Sequence, residues 1–308
     1  MKQEFQWQGR QDGIGDAHLR MYQVVNQSEH AQFALIGFSS DEGVRRNKGR
    51  VGAADAPDLI RNKLANLPVH SPVTLKDLGT VVCVDRQLEQ AQAELAEKVE
   101  WALQKGMKPI VLGGGHEVAF GSFSGLFQYI QKFESHKKIG IINFDAHLDL
   151  RDDVQATSGT PFLQAEKLSK QHNKEFHYLC IGVAQHSNTK ILFETAQRLN
   201  CSLIYDTEIE DSNFPALQTK IDNFIEHVDI LYITVDLDVF SSFIAPGVSA
   251  PAVKGINVKN FEKLMHYIQK NGKIALLDIA ECNPLFDQDQ RTVQLAAYIV
   301  YSYIFNKI

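Results

Sequence analysis

The strongest constraint on this chain is a series of short apolar runs that are continuous instead of alternating. They cover 32–38, 108–112, 138–144, 177–183, 202–205, 229–235 and 273–279. An alternating run suits a strand with one wet face. A continuous run suits a strand covered on both faces, as parallel sheets require. Stretches at helical spacing lie between them. In 85–105, Leu88, Ala91, Leu95, Val99 and Ala102 share one face, and Gly106 stands where a left-handed cap would end the helix. This alternation predicts an α/β fold, a parallel sheet flanked by helices. No Gly/Ser linker, low-complexity tract or internal repeat interrupts it, so residues 1–308 are expected to form a single domain.

Chemistry concentrates where the runs end. Ile139-Gly-Ile-Ile142 leads into Asn143-Phe-Asp145-Ala-His147-Leu-Asp149-Leu-Arg151. In extended chain every second residue faces the same way, which predicts Asp145, His147 and Asp149 on one side. Asp236-Leu-Asp238 follows another run, and two like charges at a strand end are costly without a cation. A third end reads Gly113-Gly-Gly-His116-Glu117, where the glycines allow a tight turn that aims His116 back across the sheet edge. Ligands at the carboxyl ends of neighbouring parallel strands occupy the crevice where α/β sheets place their sites. Asp145, Asp149, Asp236 and Asp238 balance the charge of two divalent ions, with His116 and His147 completing the set. Such hard, oxygen-rich donors suit manganese better than zinc. Paired ions share a water, lower its pKa and supply hydroxide at neutral pH, so the expected chemistry is hydrolysis. Glu281, in Glu281-Cys-Asn-Pro284 after the last run, is a further carboxylate at the same edge. It suits a planar cationic N–C–N group, held by two parallel hydrogen bonds.

Other classes find little support. Lys and Arg total 31 against 37 Asp and Glu, a net charge of −6, which gives no electrostatic reason to expect nucleic acid or an anionic membrane. No apolar run has the length of a membrane span, and the N-terminal stretch is polar, without a signal-like core. Cys83, Cys180, Cys201 and Cys282 are scattered, with no C-x-x-C pair, as expected of free thiols in a cytoplasmic protein. Ser158 and Ser249 have no obvious His–Asp partners for nucleophilic catalysis.

The four blocks Gly113–His116, Asp145–Asp149, Asp236–Asp238 and Glu281–Pro284 resemble, in order, those of the ureohydrolase family, the arginases and agmatinases. The resemblance implies a three-layer α/β/α sandwich of arginase/deacetylase type, its mainly parallel sheet having about eight strands. It also implies a bridged dimanganese centre, with two Mn2+ per subunit, and a homo-oligomer. Carried over by position, one ion takes His116, Asp145, Asp149 and Asp236, and the other takes Asp145, His147, Asp236 and Asp238. Asp149 doubles as a proton shuttle, and Glu281 holds the amidine nitrogens. Two loops, 37–50 and 149–162, are similar to those of the family's formimidoylglutamase branch. That branch splits N-formimidoyl-L-glutamate into L-glutamate and formamide in histidine degradation. The similarity makes Arg45, Arg46, Asn47, Arg50, Arg151 and Ser158 candidate substrate contacts. Arginases carry Asn where this chain has Arg151 and His where it has Phe162. An Arg suits a substrate with two carboxylates. The alternatives are a guanidine hydrolase that releases urea, and a metal-binding scaffold without activity.

Overall fold

Along β7 (Ile230–Asp236), Leu231, Ile233 and Val235 enter one apolar cluster while Tyr232 enters the other. The same division holds along β4 (Ile139–Phe144), with Ile142 and Phe144 on one side and Ile141 on the other. Strands buried on both faces account for the continuous apolar runs. The computed structural model describes residues 5–28 and 30–305. Its remaining strands are β1 (Phe33–Ser39), β2 (Leu75–Val82), β3 (Lys108–Leu112), β5 (His177–Val183), β6 (Ser202–Tyr205) and β8 (Ile274–Ala280). All pair in parallel in one 8-stranded sheet of order β2-β1-β3-β8-β7-β4-β5-β6. Helices α2 (Ala56–Ala65), α7 (Phe214–Ile225), α8 (Val258–Gln269) and α9 (Arg291–Phe305) cover one face. Helices α3 (Leu88–Gln104), α4 (Val118–Phe133), α5 (Pro161–Gln171) and α6 (Lys190–Arg198) cover the other, giving the three-layer sandwich. A single turn, α1 (Glu42–Arg46), follows β1.

Helix α3 ends as its sequence predicts. Gly106 has φ +75°, its N–H donates to the Leu103 carbonyl at 3.0 Å, and the Met107 N–H donates to Ala102 at 3.0 Å. This six-to-one and five-to-two pair is the Schellman closure that glycine permits.

Strand β2 lies outside the apolar runs. It is an edge strand, mostly half-buried, carrying Asp77 and Gly79, so it lacks the signal of a doubly covered strand. Arg61 of α2 secures it from beneath. Its guanidinium, wholly buried, forms two bonds to Asp77 at 2.8 and 2.9 Å and reaches Thr80 Oγ1 at 2.9 Å. The bidentate geometry is what makes burying that charge tolerable.

Candidate metal centre

The sheet order places β3, β8, β7 and β4 side by side, so the ends carrying His116, Glu281, Asp236–Asp238 and Asp145–Asp149 are neighbours. Register brings them level. Asp236 is opposite Ala280, and Phe144 opposite Val235. The Gly113 N–H donates to the Ile279 carbonyl and the Glu281 N–H to Gly114, both at 2.8 Å, which joins the ends of β3 and β8.

Asp145 to Asp149 converge by bending, not by the extended alternation that the spacing predicts. The His147 N–H donates to Asp145 Oδ1 at 2.6 Å, and Asp149 takes φ +47°. The bend divides the three between two centres. His116 Nδ1 lies 3.1 Å from Asp145 Oδ2, 3.0 Å from Asp149 Oδ2 and 3.1 Å from Asp236 Oδ2. His147 Nδ1 lies 3.0 Å from Asp238 Oδ2 and 3.4 Å from Asp145 Oδ1. Asp145 thus offers one oxygen to each group. Asp236 directs Oδ2 toward His116, while its Oδ1 accepts the Asp238 N–H at 2.8 Å.

These contacts make poor hydrogen bonds and good ligation. His116 Nε2 lies 3.0 Å from Thr234 Oγ1, and Nδ1 has no hydrogen-bond partner. A proton on Nδ1 could serve one of the three carboxylates, not all of them. Without a cation, buried like charges face one another at a cost of several kcal/mol per ion. A divalent ion among each set of donors removes that conflict, so the residues fit two such ions.

The electrostatics carry the same strain. Burial, with Asp145 beside it, pushes the Asp149 carboxyl up to about 6. Burial also raises Asp236 and Asp238, each with a neighbouring acid adding to the effect. Asp145 is buried too, yet the His116 and His147 imidazoles beside it hold it below the ordinary carboxylate range. Polar neighbours fix its direction. Asn143 Nδ2 donates to Asp145 Oδ2 and approaches the Tyr178 hydroxyl, both at 3.0 Å. Phe162 is buried edge-on to the His116 ring, with centroids 5.4 Å apart, so its position offers packing and no proton.

Glu281 sits apart from both donor sets. It takes φ +63°, a costly conformation for a side chain with a Cβ. Oε1 accepts the His116 N–H at 2.9 Å, whereas Oε2 is buried without a partner. Burial first, then Asp236 and Glu117, drives its carboxyl well above the usual range. A cation in front of Oε2 would reverse that. Asn283, two residues on, ties this end to the loop after α1 by donating to the Arg50 and Val51 carbonyls at 2.8 and 3.2 Å.

Above the acids lies a cavity of about 210 Å³ whose lining includes Asn47, Asp149, Arg151, Ser158, Ser187, Ser249 and Glu281. A larger one, about 310 Å³, lies at the amino ends of β4 and β5 and contains none of these groups. The candidate substrate contacts separate. Asn47 donates to Ser158 Oγ at 3.1 Å within the lining. Arg151 lies over Gly159, where a Cβ would stand 2.9 Å from Arg151 Cδ, and its guanidinium has no acid or carbonyl partner among the described residues. Arg45, Arg46 and Arg50 do not line the cavity. Arg45 pairs with Glu42. Arg46 bonds Glu42, Glu89 and the Ala156 carbonyl. Arg50 bonds the Ser249 carbonyl and stacks 4.3 Å over the Phe286 ring. Their charges are spent holding loops together.

Ser187, Asn188 and Leu192 also reach the cavity, and the sequence motifs did not mark them. Asn188 braces the bend. It accepts the Leu148 N–H at 3.0 Å and donates to the Ala146 and Ala184 carbonyls at 2.9 Å. The available signal was its position past the carboxyl end of β5, the same rule that exposed the acids.

A family model for the arginase family matches residues 31–305. A formimidoylglutamase of Vibrio vulnificus strain CMCP6 is 46% identical over 315 residues, covering 97% of this chain and 94% of its own length. One from Aeromonas salmonicida strain A449 is 46% identical over 302 residues, covering 96% and 95%. Among solved structures, Trypanosoma cruzi formiminoglutamase with Mn2+ superimposes with TM-score 0.80 at 26% identity, covering 91% of this chain and 95% of its own.

Proposed function

The chain belongs to the arginase family, and we propose that within it this protein hydrolyses N-formimidoyl-L-glutamate to L-glutamate and formamide. The centre would take Mn2+, the ion named for the T. cruzi structure. His116, Asp145, Asp149 and Asp236 would hold one, and Asp145, His147, Asp236 and Asp238 would hold the other. When bound, such a pair acidifies a shared water and supplies the nucleophile at neutral pH.

The observation that carries the substrate is Arg151. Its guanidinium has no partner among the described residues, and it stands at the rim of a cavity whose floor carries acids and two histidines. A carboxylate on the substrate completes it by two parallel bonds. Asn47 has one amide hydrogen and Ser158 its hydroxyl hydrogen left over after their mutual bond, two neutral donors for the second carboxylate. Glu281 Oε2 accepts the amidinium N–H while the His116 N–H steadies the other oxygen. As water adds, the bond from the formimidoyl carbon to the glutamate nitrogen breaks, and that nitrogen needs a proton. Asp149 is the most exposed aspartate of the floor, at 13% against 4% or less for the others, so it can carry the proton. Phe162 closes the position from which a histidine would otherwise serve.

Manganese-loaded protein offered formimidoylglutamate, arginine, agmatine and guanidinobutyrate tests this reading. Formamide and glutamate from the first, with no urea from the others, is expected. Urea as the main product would assign the chain to the guanidine hydrolases.

A further inference from the structure

Glu117 follows His116, is wholly buried, and has no part in the reaction described above. Its Oε1 accepts the Ser40 hydroxyl and the Gly43 N–H, both at 2.9 Å. Gly43 lies in the first turn of α1, and Asp41 at the start of that helix provides no side-chain cap. An orphan N–H of a one-turn helix is therefore satisfied by an acid 74 residues away. A helix this short does not hold itself in water. The fit is close. A Cβ on Gly43 would stand 2.6 Å from the Glu117 carboxyl, and one on Gly115 would stand 2.1 Å from Oε2. The Gly115 N–H adds a bond to the Ser40 carbonyl at 2.9 Å.

The two sides of this contact have different duties. On one side the His116 N–H holds Glu281. On the other, the chain leaving α1 places Asn47 and Gly49 in the cavity wall, with Asn47 on Ser158. We propose that Glu117 is a positioning residue for substrate selection. It pins the 40–49 loop, and through Asn47 the carboxylate-reading end of the cavity, to the turn that carries the metal-facing histidine. This rests on the function proposed above.

Glu117→Ala and Glu117→Gln in the manganese-loaded enzyme test it, with formimidoylglutamate and N-formimidoylpropylamine as paired substrates. Losing the cap should raise KM for formimidoylglutamate about five- to tenfold, with kcat within about threefold, from the ordinary worth of such a bond. The propylamine compound, which has no carboxylate, should respond by less than about twofold, and elemental analysis should still find both ions. Gln keeps an accepting oxygen and should restore KM to within about threefold of the parent. If the Ala variant does not fold, Ser40→Ala removes one of the two donors and should raise KM in the same direction by about threefold. Equal losses on both substrates, loss of metal, or a Gln variant no better than Ala would overturn the proposal. Amide exchange across 41–50 reads the clamp independently of the substrate. It should quicken at least about fivefold in the Ala variant. Unchanged exchange overturns the clamp even if formimidoylglutamate is turned over. Faster exchange in a protein that does not release formamide would fault the proposed reaction instead.

Discussion

The carboxylates at the floor of the cavity and the guanidiniums around its mouth are treated in opposite ways. Asp145, Asp236 and Asp238 are buried against one another and against two imidazoles, with acids outnumbering the histidines that face them. Arg46 and Arg50 are engaged by acids, carbonyls and a ring, whereas the Arg151 guanidinium has no such partner among the described residues. At the floor the excess of acids marks the chemistry, because a fold tolerates it only where something outside the chain completes it. At the mouth most of the charge is satisfied, and satisfied charge holds loops. The exception, Arg151, is what a substrate can use.

The floor side is the harder to perturb without total loss. Asp145→Asn or Asp236→Asn should cost several orders of magnitude in activity, since the proposed centre assigns each of them to both ions. Elemental analysis should find fewer than two ions per chain. Full activity with one ion or none would remove the distinction altogether.

Glu281→Gln sharpens the boundary between binding metal and binding substrate. Size is kept and the charge facing the amidinium is lost, so turnover should fall at least about a hundredfold with metal content intact. Loss of the ions in this variant would move Glu281 into the metal's own shell.

Arg151→Ala isolates the guanidinium that lines the cavity. A partly shielded bidentate pair is worth about 1.5–3 kcal/mol, or about ten- to a hundredfold in kcat/KM on formimidoylglutamate. A formimidoyl alkylamine should be nearly indifferent. Equal losses on the two substrates would show that Arg151 supports the floor and does not read carboxylates.

The engaged arginines should show the smallest effect on selectivity. Arg46→Ala or Arg50→Ala should lower unfolding free energy by about 1–2 kcal/mol in denaturant titration, from lost loop contacts. The ratio between the two substrates should shift far less than with Arg151→Ala. A larger shift would restore these arginines as direct contacts.

What could be read without coordinates was local. Continuous apolar runs disclosed the doubly covered strands, and Gly106 disclosed the end of α3, because side-chain burial and a left-handed φ act over a few residues. Strand β2 stayed hidden because an edge strand with one covered face need not be apolar throughout. The clustered acids of the cavity floor were legible for a related reason. Aspartates buried at the ends of apolar strands have no inexpensive alternative to a cation.

Tertiary structure decided the rest. Residue type alone could not separate Arg151 from Arg46 and Arg50, since whether a guanidinium is free depends on carbonyls and acids far away in the chain. Nor could spacing show that 145–149 bends to serve two centres, since the bend is set by Asn188 and Asp238 from other strand ends. Most of all, the chain order of the four motifs differs from their order in space. The sheet places β8 between β3 and β7, so Glu281 stands beside His116 although 165 residues separate them. Pairing between distant strands is chosen by the packing of whole layers. No single segment carries that information.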